Sequence, residues 1–128
     1  MTSYKCRAVN GNQAHGEVTA TCEPISFLGG VDADTGIVRE KGHELFGKCI
    51  KDKILAFPKG KGSTVGSYVI YALKKKGTAP IAIINKEAEP IIVVGAIISD
   101  IPLFEFDFID KIKSGDRVSI EGDTITLL

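Results

Sequence analysis

Residues 58–68 read PKGKGSTVGSY: three glycines, Lys59 and Lys61, and the aliphatic hydroxyls of Ser63, Thr64 and Ser67 in one short stretch. Bare glycine backbone lets a ligand approach closely, and mobile lysines add positive charge. The chemistry this composition supports is the holding of an anion, or proton transfer through a hydroxyl whose oxyanion is stabilised. Nucleotide templates do not fit. A Walker loop requires lysine directly before the final hydroxyl, and here Gly62 precedes Ser63. The dinucleotide glycine pattern is matched only with one residue too many, and no nucleophile elbow is present.

Two elements must position this segment. The apolar run up to Phe57 is expected to be a strand over Lys53–Phe57, and STVGSYVIYALKKKG a helix capped by Ser63 or Thr64 and stopped by Gly77. Val65, Tyr68, Val69, Ala72 and Leu73 are its expected buried face. Amides at a helix start and the helix dipole favour negative charge. Ser63 is therefore either a plain cap or a base, and these residues alone leave both readings open. Ala79–Asn85 is nearly continuous in apolar side chains, as in a strand buried on both faces. Together these segments predict a strand–helix–strand unit with a parallel pair. Strands are also expected at Tyr4–Val9 and Gly16–Cys22, joined by a turn-rich Asn10–Gly16. A hairpin is expected from Arg117–Glu121 and Thr124–Leu128 around Gly122-Asp123. Pro24–Val38 reads as a long ordered loop with Asp32 and Asp34 as turn formers, and periodicity does not decide whether EPIIVVGAIISDIP is helix or strand.

The 128 residues are one domain's worth, and 44% hydrophobic composition is enough for a true core. Sixteen basic residues balance sixteen acidic ones, so no overall field draws in nucleic acid or an anionic membrane. Lys74–Lys76 falls where a helix should end and complements its dipole. The start of the chain lacks an apolar leader and the longest apolar run is too short to span a bilayer, so a cytoplasmic protein is expected. Cys6, Cys22 and Cys49 are widely spaced, which argues against disulfides and metal sites and for small buried thiols. His15 is expected at the surface, and His43 is remote from any carboxylate or cysteine pattern.

In order and spacing, PISFLGGVDADTG, GHELFGKCIKDKILAFPKGKGSTVGSY, GTAPIAIIN and EPIIVVGAIISDIP resemble the aconitase X small-subunit family over nearly the whole chain. The resemblance implies a single α/β domain over residues 1–128, the swivelling β/β/α domain of the aconitase superfamily. It implies a hydro-lyase active only with a large-subunit partner. That partner would carry a [4Fe-4S] cluster on its own cysteines, with no cofactor or metal on this chain. The implied reaction is loss of water from (R)-5-phosphomevalonate, giving trans-anhydromevalonate 5-phosphate in an archaeal route to isoprenoids. Ser63 falls on the family's proton acceptor, and Lys61, Gly62, Thr64 and Ser67 fall in the segment expected to bind substrate. The chain departs from the family pattern at Lys61, often arginine, at Thr64, often serine, at His43-Glu44-Leu45 and at Leu28. The alternatives are a related dehydratase acting on another substrate such as hydroxyproline, or a non-catalytic anion-binding swivelling domain. A phosphohistidine carrier is disfavoured, because no histidine follows Gly29-Gly30.

Overall fold

The computed structural model describes residues 2–128. Its strands are β1 (Thr2–Lys5), β2 (Arg7–Asn10), β3 (Gln13–Ala20), β4 (Ile54–Phe57), β5 (Ala82–Asn85), β6 (Leu103–Glu105), β7 (Arg117–Glu121) and β8 (Thr124–Leu127). Helix α1 spans Gly66–Lys76 and helix α2 spans Pro90–Ser99. All strands join one mixed sheet in the order β1-β8-β7-β3-β4-β5-β6-β2. The outermost two, β1 and β2, are consecutive stretches of one run of chain separated only by Cys6. The sheet therefore curls until its ends meet along residues 2–10.

Alternation along the central strands sorts their side chains into two cores. Ile54, Ala56, Ala82, Ile84 and Phe104 point inside the curl, where they meet Val18, Phe106, Val118, Ile120 and Ile125. Leu55, Phe57, Ile83 and Leu103 point to the other face and meet Ile70 and Leu73 of α1 and Ile92 and Ala96 of α2. Residues 21–53 lie on this second core through Ile25, Phe27, Val31, Val38, Leu45 and Ile50. Strands β3, β4, β5 and β6 run parallel, with α1 and α2 as the crossovers after β4 and β5. The expected strand–helix–strand unit is present, and so is the C-terminal hairpin, with Glu121 opposite Thr124 and Gly122 at φ +59°.

EPIIVVGAIIS folds as a helix. Glu89 caps it by accepting from the amides of Ile91 and Ile92, and Pro90 sits in its first turn, where a missing N–H costs nothing. Three expectations need correction. The Tyr4–Val9 strand is two strands, and β3 begins at Gln13, because a tight Gly11-Asn12 turn replaces the longer one. The buried side of α1 is Gly66, Ser67, Ile70 and Leu73, whereas Val65 and Tyr68 are exposed. The cause is close helix packing: a Cβ on Gly95 would lie 3.3 Å from Ser67 Cα, so the small residues of α1 turn toward α2. The cysteines are not buried thiols either. Cys22 and Cys49 are exposed and Cys6 is half-buried, since all three lie outside the strands' inward positions.

Candidate active site

The segment 58–67 leaves the carboxyl end of β4, the usual side for ligands in parallel sheets. Its departure is held firmly. Asn85, fully buried, donates from Nδ2 to the Phe57 carbonyl at 2.9 Å, and the amides of Lys86 and Glu87 donate to the Pro58 carbonyl. The chain then zips onto the segment after Pro24. Ile25 N donates to Lys59 O, and Lys61 N donates to Ile25 O at 3.0 Å. Gly60 is packed so tightly that a Cβ would fall 2.5 Å from Glu89 Oε1, which explains a glycine there.

Ser63 and Thr64 lie just before α1 and are exposed. The helix starts later than expected, at Gly66, and its N-cap residue Val65 makes no side-chain capping bond. A lead-in turn comes first, in which Gly66 N donates to Ser63 O and Tyr68 N to Val65 O. Ser63 Oγ accepts the Val65 amide at 3.1 Å, so the serine oxygen already faces one backbone N–H donor. Such a donor lowers the cost of placing negative charge on that oxygen. Ser67 is 5% exposed, and its hydroxyl donates to the Thr64 carbonyl at 3.0 Å, bracing the turn from beneath.

Lys61 and Gly62 border an open cleft of about 420 Å³ with Ser26, Leu28, Gly29, Gly30 and Glu40. Ser63 and Thr64 are the next residues along the chain but do not line it. Lys61 is ion-paired to Glu40 at 3.0 Å, whereas Lys59 has no ion pair among the described residues. Ser26 and Glu40 were not expected in this site. Ser26 could be suspected from its place beside the Gly29-Gly30 turn, but no local signal marks Glu40.

His43, Glu44 and Asp32 are each held by hydrogen bonds within the chain. His43 is buried, accepts the Leu45 amide at Nδ1 and reaches the Pro24 carbonyl through Nε2, which fits the neutral ring with its proton on Nε2. Glu44 accepts from Thr21 Oγ1 at 2.6 Å and from the Cys22 amide, and these bonds hold its carboxyl below the ordinary range. Asp32 forms the expected turn by accepting the Asp34 amide, and that bond is the first cause of its lowered pKa. His15 is exposed on β3. Among the described residues no three His, Cys, Asp or Glu side chains are grouped to hold a metal ion, so this chain's residues do not fit an iron–sulfur cluster. No helix among them is long and apolar enough to cross a membrane.

Comparison with known proteins agrees along the whole chain. The phosphomevalonate dehydratase small subunit of Methanosarcina mazei is 57% identical over 122 residues, covering 93% of this chain and 85% of the relative. The protein of the same name from Methanococcoides burtonii is 54% identical over 123 residues, covering 92% and 88%. The crystal structure of Thermococcus kodakaraensis aconitase X in its holo-form superposes with a TM-score of 0.96 at 50% identity, covering 100% of this chain and 99% of that one. Residues 3–127 match the family described as the aconitase X swivel domain, and the chain belongs to that family.

Proposed function

We propose that this chain is the small subunit of a phosphomevalonate dehydratase, in which Ser63 accepts the proton removed from (R)-5-phosphomevalonate. The reading is supported by relatives bearing that subunit name at more than half identity over most of the chain. The observation that carries the serine's role is its exposed Oγ facing the Val65 amide, one residue beyond the cleft bordered by Lys61 and Gly62.

In this mechanism Ser63 Oγ, as the alkoxide, takes a proton from the carbon beside the substrate carboxylate. The electron pair of that C–H bond becomes the new double bond, and the hydroxyl on the neighbouring carbon departs with its bonding pair; loss of the acquired proton from Ser63 restores the alkoxide and balances the hydroxide as water. The product is trans-anhydromevalonate 5-phosphate. The Val65 N–H and the dipole of α1 favour the charged oxygen before the transfer. Gly62 and Thr64 border the substrate, Lys61 offers it positive charge, and Ser67 keeps the turn in place. A large subunit completes the enzyme. A [4Fe-4S] cluster held by that subunit's own cysteines would supply Lewis acidity, and this chain would act in the cytoplasm in an archaeal isoprenoid route.

The test is Ser63→Ala in the reconstituted two-subunit enzyme, with dehydration followed by mass spectrometry. Loss of a positioned base lowers kcat about 10²–10⁴-fold. Ser63 is exposed and gives up one hydrogen bond, so the stability cost is about 1 kcal/mol or less. Activity within threefold of wild type would remove Ser63 as the base. Turnover of hydroxyproline but not phosphomevalonate would assign the pair to another dehydratase.

A further inference from the structure

The cleft beside Ser63 already contains a carboxylate, and it belongs to the protein. Glu40 Oε2 lies 3.0 Å from Lys61 Nζ, and Glu40 Oε1 lies 3.5 Å from where a Cβ on Gly30 would stand. Three of the seven residues lining the cleft are glycines. A Cβ on Gly30 would fall 1.9 Å from the Ser26 carbonyl oxygen, and one on Gly62, at φ +87°, would fall 2.5 Å from Ser26 Oγ. Two glycine turns thus meet across Ser26: Gly30 is too close to its backbone for any side chain, and Gly62 lies against its hydroxyl with a left-handed φ that favours glycine. Backbone of this kind beside a lysine is what a carboxylate or phosphate group requires.

The electrostatics follow from the pair. Lys61 and Glu40 cancel, so an incoming anion gains from Lys61 only when Glu40 gives way. Their side chains are 45% and 30% exposed, and ion pairs so open to solvent are weak, so the exchange is inexpensive. The pairing also holds the Lys61 side chain toward the cleft in advance, which reduces the ordering a ligand must impose.

We infer that Glu40 is a resident competitor for this cleft's cation. Its carboxylate holds Lys61 beside the Gly29-Gly30 turn, and it gives Lys61 up to the carboxylate or phosphate group of the substrate. The inference rests on placing Lys61 and Gly62 against the substrate, but not on the role of Ser63.

The experiment is titration of the full ¹⁵N-labelled chain with inorganic phosphate and, separately, with acetate at low ionic strength. Amide shifts of residues 26–30 and of Gly62 are followed in wild type, Glu40→Gln and Lys61→Gln. With the competing carboxylate neutralised, Glu40→Gln should tighten both anions by a similar factor, up to about fivefold for an exposed pair. Lys61→Gln should abolish most of the binding. Whichever probe binds more tightly identifies the end of the substrate that the cleft accepts. Unchanged or weaker binding in Glu40→Gln would overturn the inference. So would a gain for phosphate far exceeding that for acetate, since a carboxylate that stays in place repels a dianion more than a monoanion. Because no turnover is measured, the outcome stands apart from the Ser63→Ala assay.

Discussion

The spacing between the two helices sets where the serine segment lies, and Gly95→Ala tests it. In an isolated helix the change is favourable by about 1 kcal/mol. Here the new Cβ would lie 2.6 Å from Ile70 Cδ1, 3.2 Å from Ile70 Cβ and 3.3 Å from Ser67 Cα. The first atom is the free end of a side chain, but Ile70 is fully buried and the other two move only with α1 itself. Overpacking of this kind costs about 1–3 kcal/mol, so the helix-propensity gain is cancelled and the net result runs from about zero to a loss of about 2 kcal/mol. The upper figure corresponds to about 8 °C in Tm for a domain of this size. Ile70→Val removes the nearest atom and alone costs about 0.5–1.5 kcal/mol by leaving a small cavity. Combined, the two changes should cost about 0.5–1 kcal/mol less than their sum, because the alanine methyl enters the space the isoleucine vacates. Urea unfolding of the wild type, both single variants and the double variant gives the four energies. Strict additivity, or a Gly95→Ala protein stabilised by the full helix-propensity gain, would show that the helices are not in steric contact there.

Two further outcomes follow from charge and exposure. Glu105 is held below its ordinary 4.5 chiefly by the Ala88 amide it accepts, with Arg7 adding to the effect. A lowered folded pKa gives stability that is complete above the unfolded value and lost as pH falls through the folded one. Urea midpoints should therefore drop below about pH 4.5, and Glu105→Gln should flatten that drop; an unchanged slope would count against it. With a colorimetric disulfide reagent, Cys22 and Cys49 should react quickly and Cys6 slowly, because burial raises the Cys6 thiol pKa. Three equal rates would contradict the exposures described.

What could be read from residue order is what local chemistry decides. Ile54–Phe57 and Ala82–Asn85 announce buried parallel strands because neither has a polar side. Gly77 ends α1 with φ +73°, as a glycine after three lysines suggests. The second helix was ambiguous because PIIVVGAII is apolar all round, with Val94, Ile97 and Ile98 still exposed in the fold. Only its Glu89-Pro90 start favours helix over strand. The inward side of α1 was misread because Tyr68 and Val65 look like core, whereas Gly66 and Ser67 sit where α2 comes closest. In the site, PKGKGSTVGSY stands out in the sequence as a glycine- and lysine-rich loop with a prominent serine, and the structure places it at the carboxyl end of β4. Glu40 was invisible, because its pairing with Lys61 depends on how the long segment 21–53 lies back over the sheet.

The run of residues 2–10 that closes the curled sheet has a consequence for how the chain folds. Thr2 is paired with Leu127 and Arg7 with Glu105, so residues 2–10 are satisfied only when two segments far along the chain have come back to them. Such distant pairing slows folding, and until it forms both β6 and β8 present open edges. The inner core around Phe104, Phe106 and Ile125 stays unsealed for that whole interval. Deleting residues 2–10 would leave both of those edges open for good.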